Sequence, residues 1–368
     1  MRKSLSYILV LFSLSACIYP YSADLDSTDE QTLVVEGNVV IGGISKVYLR
    51  NLMELDSHYA LSMKGNIYLE SEKGARYHAS SSASGNYNID TREALSGDRY
   101  RLVVSSNGNT YSTDWIKAED PPILGEVKFR ADDQNVYVQI SFNGGSASNG
   151  FAAITYEEIW RFHADYQQWY YYNEENNSVE DLMEPDDSKY YCWRHVTKSG
   201  ETILDYSRMG GNVKDWEFFS FPRSNPRNHE EYNIRIKVRN LTAEEYRYRK
   251  LLEDNASLGS SFFSPEPGEI PSNVHCDNNP DIQVLGYVNI SQVSVAQAKL
   301  DSRYMIVTEP NSLIYVAPEE YQQYYSFGYY PVDRIQTGEY AKQVGWGKAR
   351  CFDCTADGGT LEKPVFDL

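Results

Sequence analysis

The chain is poor in the residue patterns that carry catalysis. Its six histidines, at positions 58, 78, 163, 195, 229 and 275, are scattered and form no H-x-x-x-H or HExxH pair, so no zinc-ligand spacing is present. There is no G-x-S-x-G elbow, no Walker loop and no G-x-G-x-x-G turn, which removes the usual signatures of serine hydrolases, P-loop enzymes and dinucleotide binders. Beyond the first residues, no apolar run approaches the roughly twenty residues that a membrane-spanning helix needs. Positive charge is also scarce: 34 Lys and Arg stand against 52 Asp and Glu, for a formal charge of -18. Phosphate backbones and anionic headgroups repel such a chain, so nucleic acid is excluded as a partner. The adjacent acids Glu157 and Glu158 are of the type a glycosidase pairs, but neighbours on a strand point to opposite faces and cannot flank one bond. No catalytic residue, metal ligand or cofactor is therefore expected.

What is present begins at the N-terminus. Arg2 and Lys3 precede a mostly apolar run from Leu5 to Leu14, followed by Ser15, Ala16 and Cys17. That run suits a secretory signal, and it is about half the length of a membrane span. Leu14-Ser15-Ala16-Cys17 has the form of a bacterial lipobox, in which the cysteine thiol takes diacylglycerol before cleavage. The expectation is a signal peptide over 1–16, a lipid anchor on Cys17 and a flexible tether over 17–32. Acyl chains hold at about 0.8 kcal/mol per buried CH₂. Removing residues 1–16 takes away Arg2 and Lys3 and no acid. The tether carries Asp24, Asp26, Asp29 and Glu30, and acids in this position resemble a surface-export signal.

Cys192, Cys276, Cys351 and Cys354 remain. An even number in an exported chain points to disulfides, and four cysteines allow three connectivities. A Cys351–Cys354 bond would close a tight loop, which favours distant partners for both. A zinc site would need a second C-x-x-C or a histidine pair.

The remainder reads as antiparallel β structure. Tyrosine is abundant, at 31 residues, and short strand candidates recur between turn signals. They run from Leu33–Ile41 through Val47–Leu52, Asn66–Glu70, Arg76–Ala79, Tyr87–Ile89 and Tyr100–Val104. Asn107-Gly108 then forms a hairpin signal into Asn109–Asp114. This spacing predicts an N-terminal β-sandwich over 33–120, immunoglobulin-like or carboxypeptidase-regulatory-like. Pro121-Pro122 breaks the pattern, and a larger β-rich unit is expected over 123–368. Its candidate strands include Val136–Phe142, Ala152–Phe162, Tyr166–Tyr172, Tyr190–Val196, Thr202–Tyr206 and Asp281–Ile290. Residues 173–189 read as an acidic loop. Tyr232–Arg239 alternates cleanly, which predicts one buried and one wet face. Thr242-Ala243-Glu244-Glu245 is a capping box that starts one helix over about 242–254, with Glu245 reaching back to Thr242. The fold class is thus mainly β, two antiparallel sandwich-like domains with one short helix in the second.

The order of these motifs resembles a family of outer-membrane lipoproteins filed as domain of unknown function 4249. The matching stretches are Leu14-Ser-Ala-Cys17, Leu33-Val-Val-Glu-Gly37, Gly97-Asp-Arg-Tyr-Arg-Leu102 and Pro121-Pro122. Further on come Leu241-Thr-Ala-Glu-Glu-Tyr246, Leu285-Gly-Tyr287, and the tail from Cys354 through Gly358-Gly-Thr360 to Lys363-Pro364. The resemblance implies an outer-membrane location, at the cell surface, beside a TonB-dependent receptor of the starch-utilisation type. It carries over no catalytic residue.

A binding role then rests on aromatic residues. Trp160, Tyr166, Trp169, Tyr170, Tyr171, Tyr172 and Trp193 concentrate rings in one region, as recognition surfaces do. A second concentration is Tyr321, Tyr324, Tyr325, Phe327, Tyr329 and Tyr330. Core packing competes as an explanation, but three consecutive tyrosines cannot all face the core of a regular strand. Two readings follow: an interface for the transporter, or a platform for glycans or other nutrients.

Overall fold

The computed structural model describes residues 32–51, 64–81, 85–145, 149–258, 271–301 and 310–366. Cys17 and the tether before residue 32 lie outside the described residues.

The first unit is built from alternation. In Leu33–Val40, Leu33, Val35 and Val39 are buried while their neighbours are less so, and Ile44–Asn51 buries Val47 and Leu49 in the same way. Together with Asn66–Ser71, Arg76–Ser81, Asn86–Asp90, Arg99–Ser106 and Asn109–Thr113, they make up seven strands of one eleven-stranded sheet. Val35 and Val39 share a core with Tyr100, Leu102 and Val104 from strands several places away in the ladder, so the sheet curls round its own apolar face. The Asn107-Gly108 signal holds: both residues have positive φ, at 50° and 81°, as a two-residue hairpin turn requires.

Two edges of this sheet come from much later in the chain. Val274–Cys276 pairs antiparallel with Asn109–Thr113. Val284–Leu285 and Val288–Ser291 both pair parallel with Leu33–Val40. The expected single strand 281–290 is thus split at Gly286. That glycine sits at φ +96°, and a Cβ on it would lie 2.2 Å from the Val35 carbonyl oxygen; only glycine allows the approach.

The second unit is a sandwich of two sheets. One contains Lys128–Ala131, Asn135–Asn143 and Asn212–Pro222; the other contains Tyr191–Thr197, Phe151–His163, Glu231–Asn240 and Ser294–Asp301. Val136, Val138 and Ile140 from the first meet Ile154, Ile234, Ile236 and Val238 from the second in one core. Sequence patterning does not reveal Asn212–Pro222 or Ser294–Asp301 as strands. The acidic stretch 173–189 is also not a loop: Ser178–Asp186 is a strand paired with Gln168–Asn173. A three-stranded sheet of Ile314–Tyr315, Val344–Lys348 and Tyr329–Arg334 follows.

The main helix spans Ala243–Leu258. Half of the expected capping box forms: the Glu245 amide donates to Thr242 Oγ1 at 3.0 Å. The Glu245 carboxylate, however, turns to Arg239 at 2.6 and 2.9 Å. A second, short helix spans Tyr321–Ser326, within the second aromatic concentration.

One disulfide joins Cys192 to Cys354, with Cα atoms 5.8 Å apart. It ties the C-terminal tail to Tyr191–Thr197, and Trp193 and Thr360 reinforce the tie by exchanging backbone hydrogen bonds. Cys276 and Cys351 are free and buried, so the expectation of distant partners holds for Cys354 and fails for Cys351.

The two units meet at a buried guanidinium. Arg239 is 2% exposed and donates to Glu201 at 2.8 and 2.7 Å as well as to Glu245. Glu201 also accepts from Asn38 of the first sheet at 3.2 Å, and Asn38 accepts from Asn289. Arg239→Met would leave two buried carboxylates with Arg249 alone, at 3.1 and 3.5 Å, as their cation. It is expected to cost about 3–5 kcal/mol, read as a lowered denaturation midpoint with unchanged slope in urea.

Candidate binding surface

The aromatic hairpin Gln168–Asp186 sorts its rings by strand alternation. Tyr170 and Tyr172 are buried, whereas Trp169 is 38% and Tyr171 39% exposed. Tyr172 faces the second aromatic concentration, and Tyr170 lies beneath the Arg334 guanidinium, 5.7 Å from its ring. The Tyr172 ring lies 4.8 Å from Tyr325 and 5.8 Å from Trp346, and Trp346 stacks on Tyr321 at 5.0 Å. Two stretches some 150 residues apart thus form one small core. The outward members stand against the paired strand, where the Tyr171 hydroxyl donates to Glu180. That strand also carries Asp181, Glu184 and Asp186 and a fully exposed Met183.

The other expected platform residues lie elsewhere. Trp160 is in the sandwich core beneath the Arg227 guanidinium, 4.5 Å from its ring. Tyr166 is partly buried and donates to the Asn311 carbonyl at 2.9 Å. Trp193 is half-buried, and Lys363 of the tail lies over its ring at 4.6 Å. The seven rings therefore do not form one surface; Trp169 and Tyr171 are the exposed pair among them.

Glu157 and Glu158 are both buried, on opposite faces of Phe151–His163. Glu158 accepts two bonds from Arg227, at 2.7 and 2.8 Å, and one from the Tyr232 hydroxyl at 2.7 Å. Burial pushes the Tyr232 phenol well above its usual range, and the Glu158 charge adds to the shift. Glu157 sits directly across the ladder from Arg235, which donates to it at 2.8 and 3.0 Å; Lys237 lies 3.3 Å away. Each carboxylate is committed to a cation on its own side. The nominally wet face of Glu231–Asn240 is thus the cationic half of a buried ion network. Burial disfavours the Glu201 carboxylate, but Arg239 and Arg249 outweigh it and hold the group below its usual range.

Sequence reasoning missed this network. The signal available was Arg239 at the end of an alternating strand, six residues before a helix-start glutamate. Among the described residues, no group of three or more His, Cys, Asp or Glu could hold a metal ion.

Two clefts run along the seam between the units, of about 360 and about 400 Å³, and both are lined by Asn38, Thr155 and Glu201. The first also presents Tyr48, Tyr248 and Tyr287, with the latter two rings stacked at 4.8 Å. Burial, reinforced by Glu36, raises the Tyr248 phenol to about 12.

A family model described as Domain of unknown function (DUF4249) matches residues 18–297. No curated protein matches. Among solved structures, the crystal structure of trypsin-activated alpha-2-macroglobulin from Escherichia coli is similar over 58% of this chain, at 10% identity and a TM-score of 0.18. The match spans 15% of that protein's length and carries no functional argument.

A stacked imidazole pair lies at the end of Phe151–His163. His163 and His229 are 4.5 Å apart, with Tyr190 on the other side of His163 at 5.2 Å. His229 Nδ1 is buried without a hydrogen-bond partner. Burial, and then the neighbouring His163, depress His229 from 6.5 to about 4. The unfolded chain therefore binds this proton first, and the stability that neutral His229 allows is full above pH 6.5 and lost as pH falls towards 4. Glu201 and Glu231, both held below their usual range, lose their contribution only below the ordinary carboxylate pKa. Between pH 7 and 5 the melting temperature is expected to fall, and His229→Gln should flatten that limb, read by thermal circular dichroism at intervals of half a pH unit.

Proposed function

The chain belongs to the family Domain of unknown function (DUF4249), and from that premise we propose a non-enzymatic outer-membrane lipoprotein held by lipid on Cys17. It serves as a binding or scaffold subunit beside a TonB-dependent transporter, at the cell surface. The observation that carries this reading is the exposed pair Trp169 and Tyr171 on a hairpin whose other rings, Tyr170 and Tyr172, are buried, Tyr172 within a core. Exposed aromatics on a rigid support are the side chains that dominate protein interfaces, because they bury large area at low entropic cost. The stretch from Cys17 to Leu33 reaches at most about 55 Å when extended, which bounds the distance of Leu33 from the membrane.

A second reading is a glycan platform. It rests on the same pair, because rings at i and i+2 stand side by side on one strand face, about 7 Å apart, and present stacking surfaces to sugar rings.

Affinity capture from membranes with the tagged chain is expected to recover a β-barrel receptor, and Trp169→Ala with Tyr171→Ala should abolish recovery without altering the melting temperature. If an oligosaccharide panel binds and no barrel is recovered, the second reading replaces the first. If neither is found, both fall. Labelled fatty acid should be incorporated into the chain and not into Cys17→Ser; incorporation into both would remove the anchor.

A further inference from the structure

The larger seam cleft, of about 400 Å³, has two unlike walls. One is the outward face of Glu231–Asn240, with Arg235, Lys237 and Arg239 at alternate positions. The other is aliphatic. It contains Ile44 and Val293, with Ile44 45% exposed, while Val295, 50% exposed, stands beside Lys237 as its direct partner across the ladder. No aromatic residue lines the cleft, so a sugar ring would find nothing to stack on.

In a chain of formal charge -18, this lining carries three cations and a single carboxylate, Glu201. Arg239 is committed to Glu201 and Glu245. Arg235 donates to Glu157 at 2.8 and 3.0 Å. Lys237 differs: its ammonium has one ion pair, at 3.3 Å, to the same Glu157 that Arg235 already holds, and its side chain is 30% exposed. An ammonium carries three donors, so Lys237 has capacity left for an anion entering from the cleft. Bare aliphatic side chains beside and across from a part-free cation fit an amphiphilic anion, and the volume falls in the range of small-molecule sites.

We propose that this cleft binds an aliphatic carboxylate, with the carboxylate on Lys237 and the hydrocarbon against Ile44, Val293 and Val295. The charge fixes the orientation, and the apolar wall sets the preferred chain length.

The test is titration calorimetry on the purified chain in detergent-free buffer, with octanoate, acetate and octanol as probes. Octanoate is expected to bind saturably at one site, with acetate and octanol each weaker by about tenfold or more. Lys237→Gln and Val295→Asn should each weaken octanoate by about tenfold while circular dichroism and melting temperature stay unchanged. Lys237 and Val295 are partly exposed, so neither variant should unfold the chain. Equal binding of octanol would overturn the role of charge, and equal binding of acetate the role of the aliphatic wall. Octanoate binding that both variants leave intact would place it elsewhere. Absence of octanoate binding would overturn the proposal outright.

Discussion

The buried guanidinium of Arg239 is the contact on which the relation between the two units depends. It lies where the last residues of a sandwich strand, the first turn of the helix and the loop before Thr202–Asp205 converge, and it answers carboxylates from the latter two. Glu201 then passes the connection to Asn38 and Asn289 in the first sheet. A cation so fully removed from water is tolerable only because every nitrogen is occupied and two charges oppose it. The next residue extends the junction. Asn240 donates to the carbonyls of Asp120 and Gly144 and accepts from Tyr206, which fixes the backbone beside Pro121-Pro122. Such directional bonds set an angle between units, whereas apolar contact alone would allow sliding.

Much of the fold was legible because strand alternation is a local property. Asn135–Asn143 and Glu231–Asn240 announce themselves through one apolar residue in two, and Leu33–Val40 through its apolar run. Ser294–Asp301 escaped because its residues, such as Ala296, Gln297 and Ala298, are small or polar and it needs only one covered face. Ser178–Asp186 escaped because its acids are those of a loop, and it is a strand through pairing with the aromatic strand before it. The helix Tyr321–Ser326 was hidden by tyrosines that favour strands in isolation and are overridden here by packing on Trp346.

The candidate surface was half legible. That one of three consecutive tyrosines must be turned out followed from the pleat, and Tyr171 is that residue. That Trp160 would be buried with Arg227, and Trp193 covered by the tail, depends on contacts 67 and 170 residues away, which no local pattern encodes. The cationic face of Glu231–Asn240 was visible as alternation and misread as solvated, because its counter-ions come from three other segments. Cysteine pairing was illegible for the same reason.

The parallel pairing of Leu33–Val40 with Val284–Leu285 and Val288–Ser291 bears on the order in which the chain assembles. The first strand to be synthesised is among the last to be fully paired. Until residue 291 has emerged, one whole edge of Leu33–Val40 has no neighbour, and the curled sheet cannot close over Val35 and Val39. Contacts so distant in sequence slow folding and leave an apolar edge open to wrong partners. For a chain made from its N-terminus, the opening strand must wait for the late segments that close its free edge.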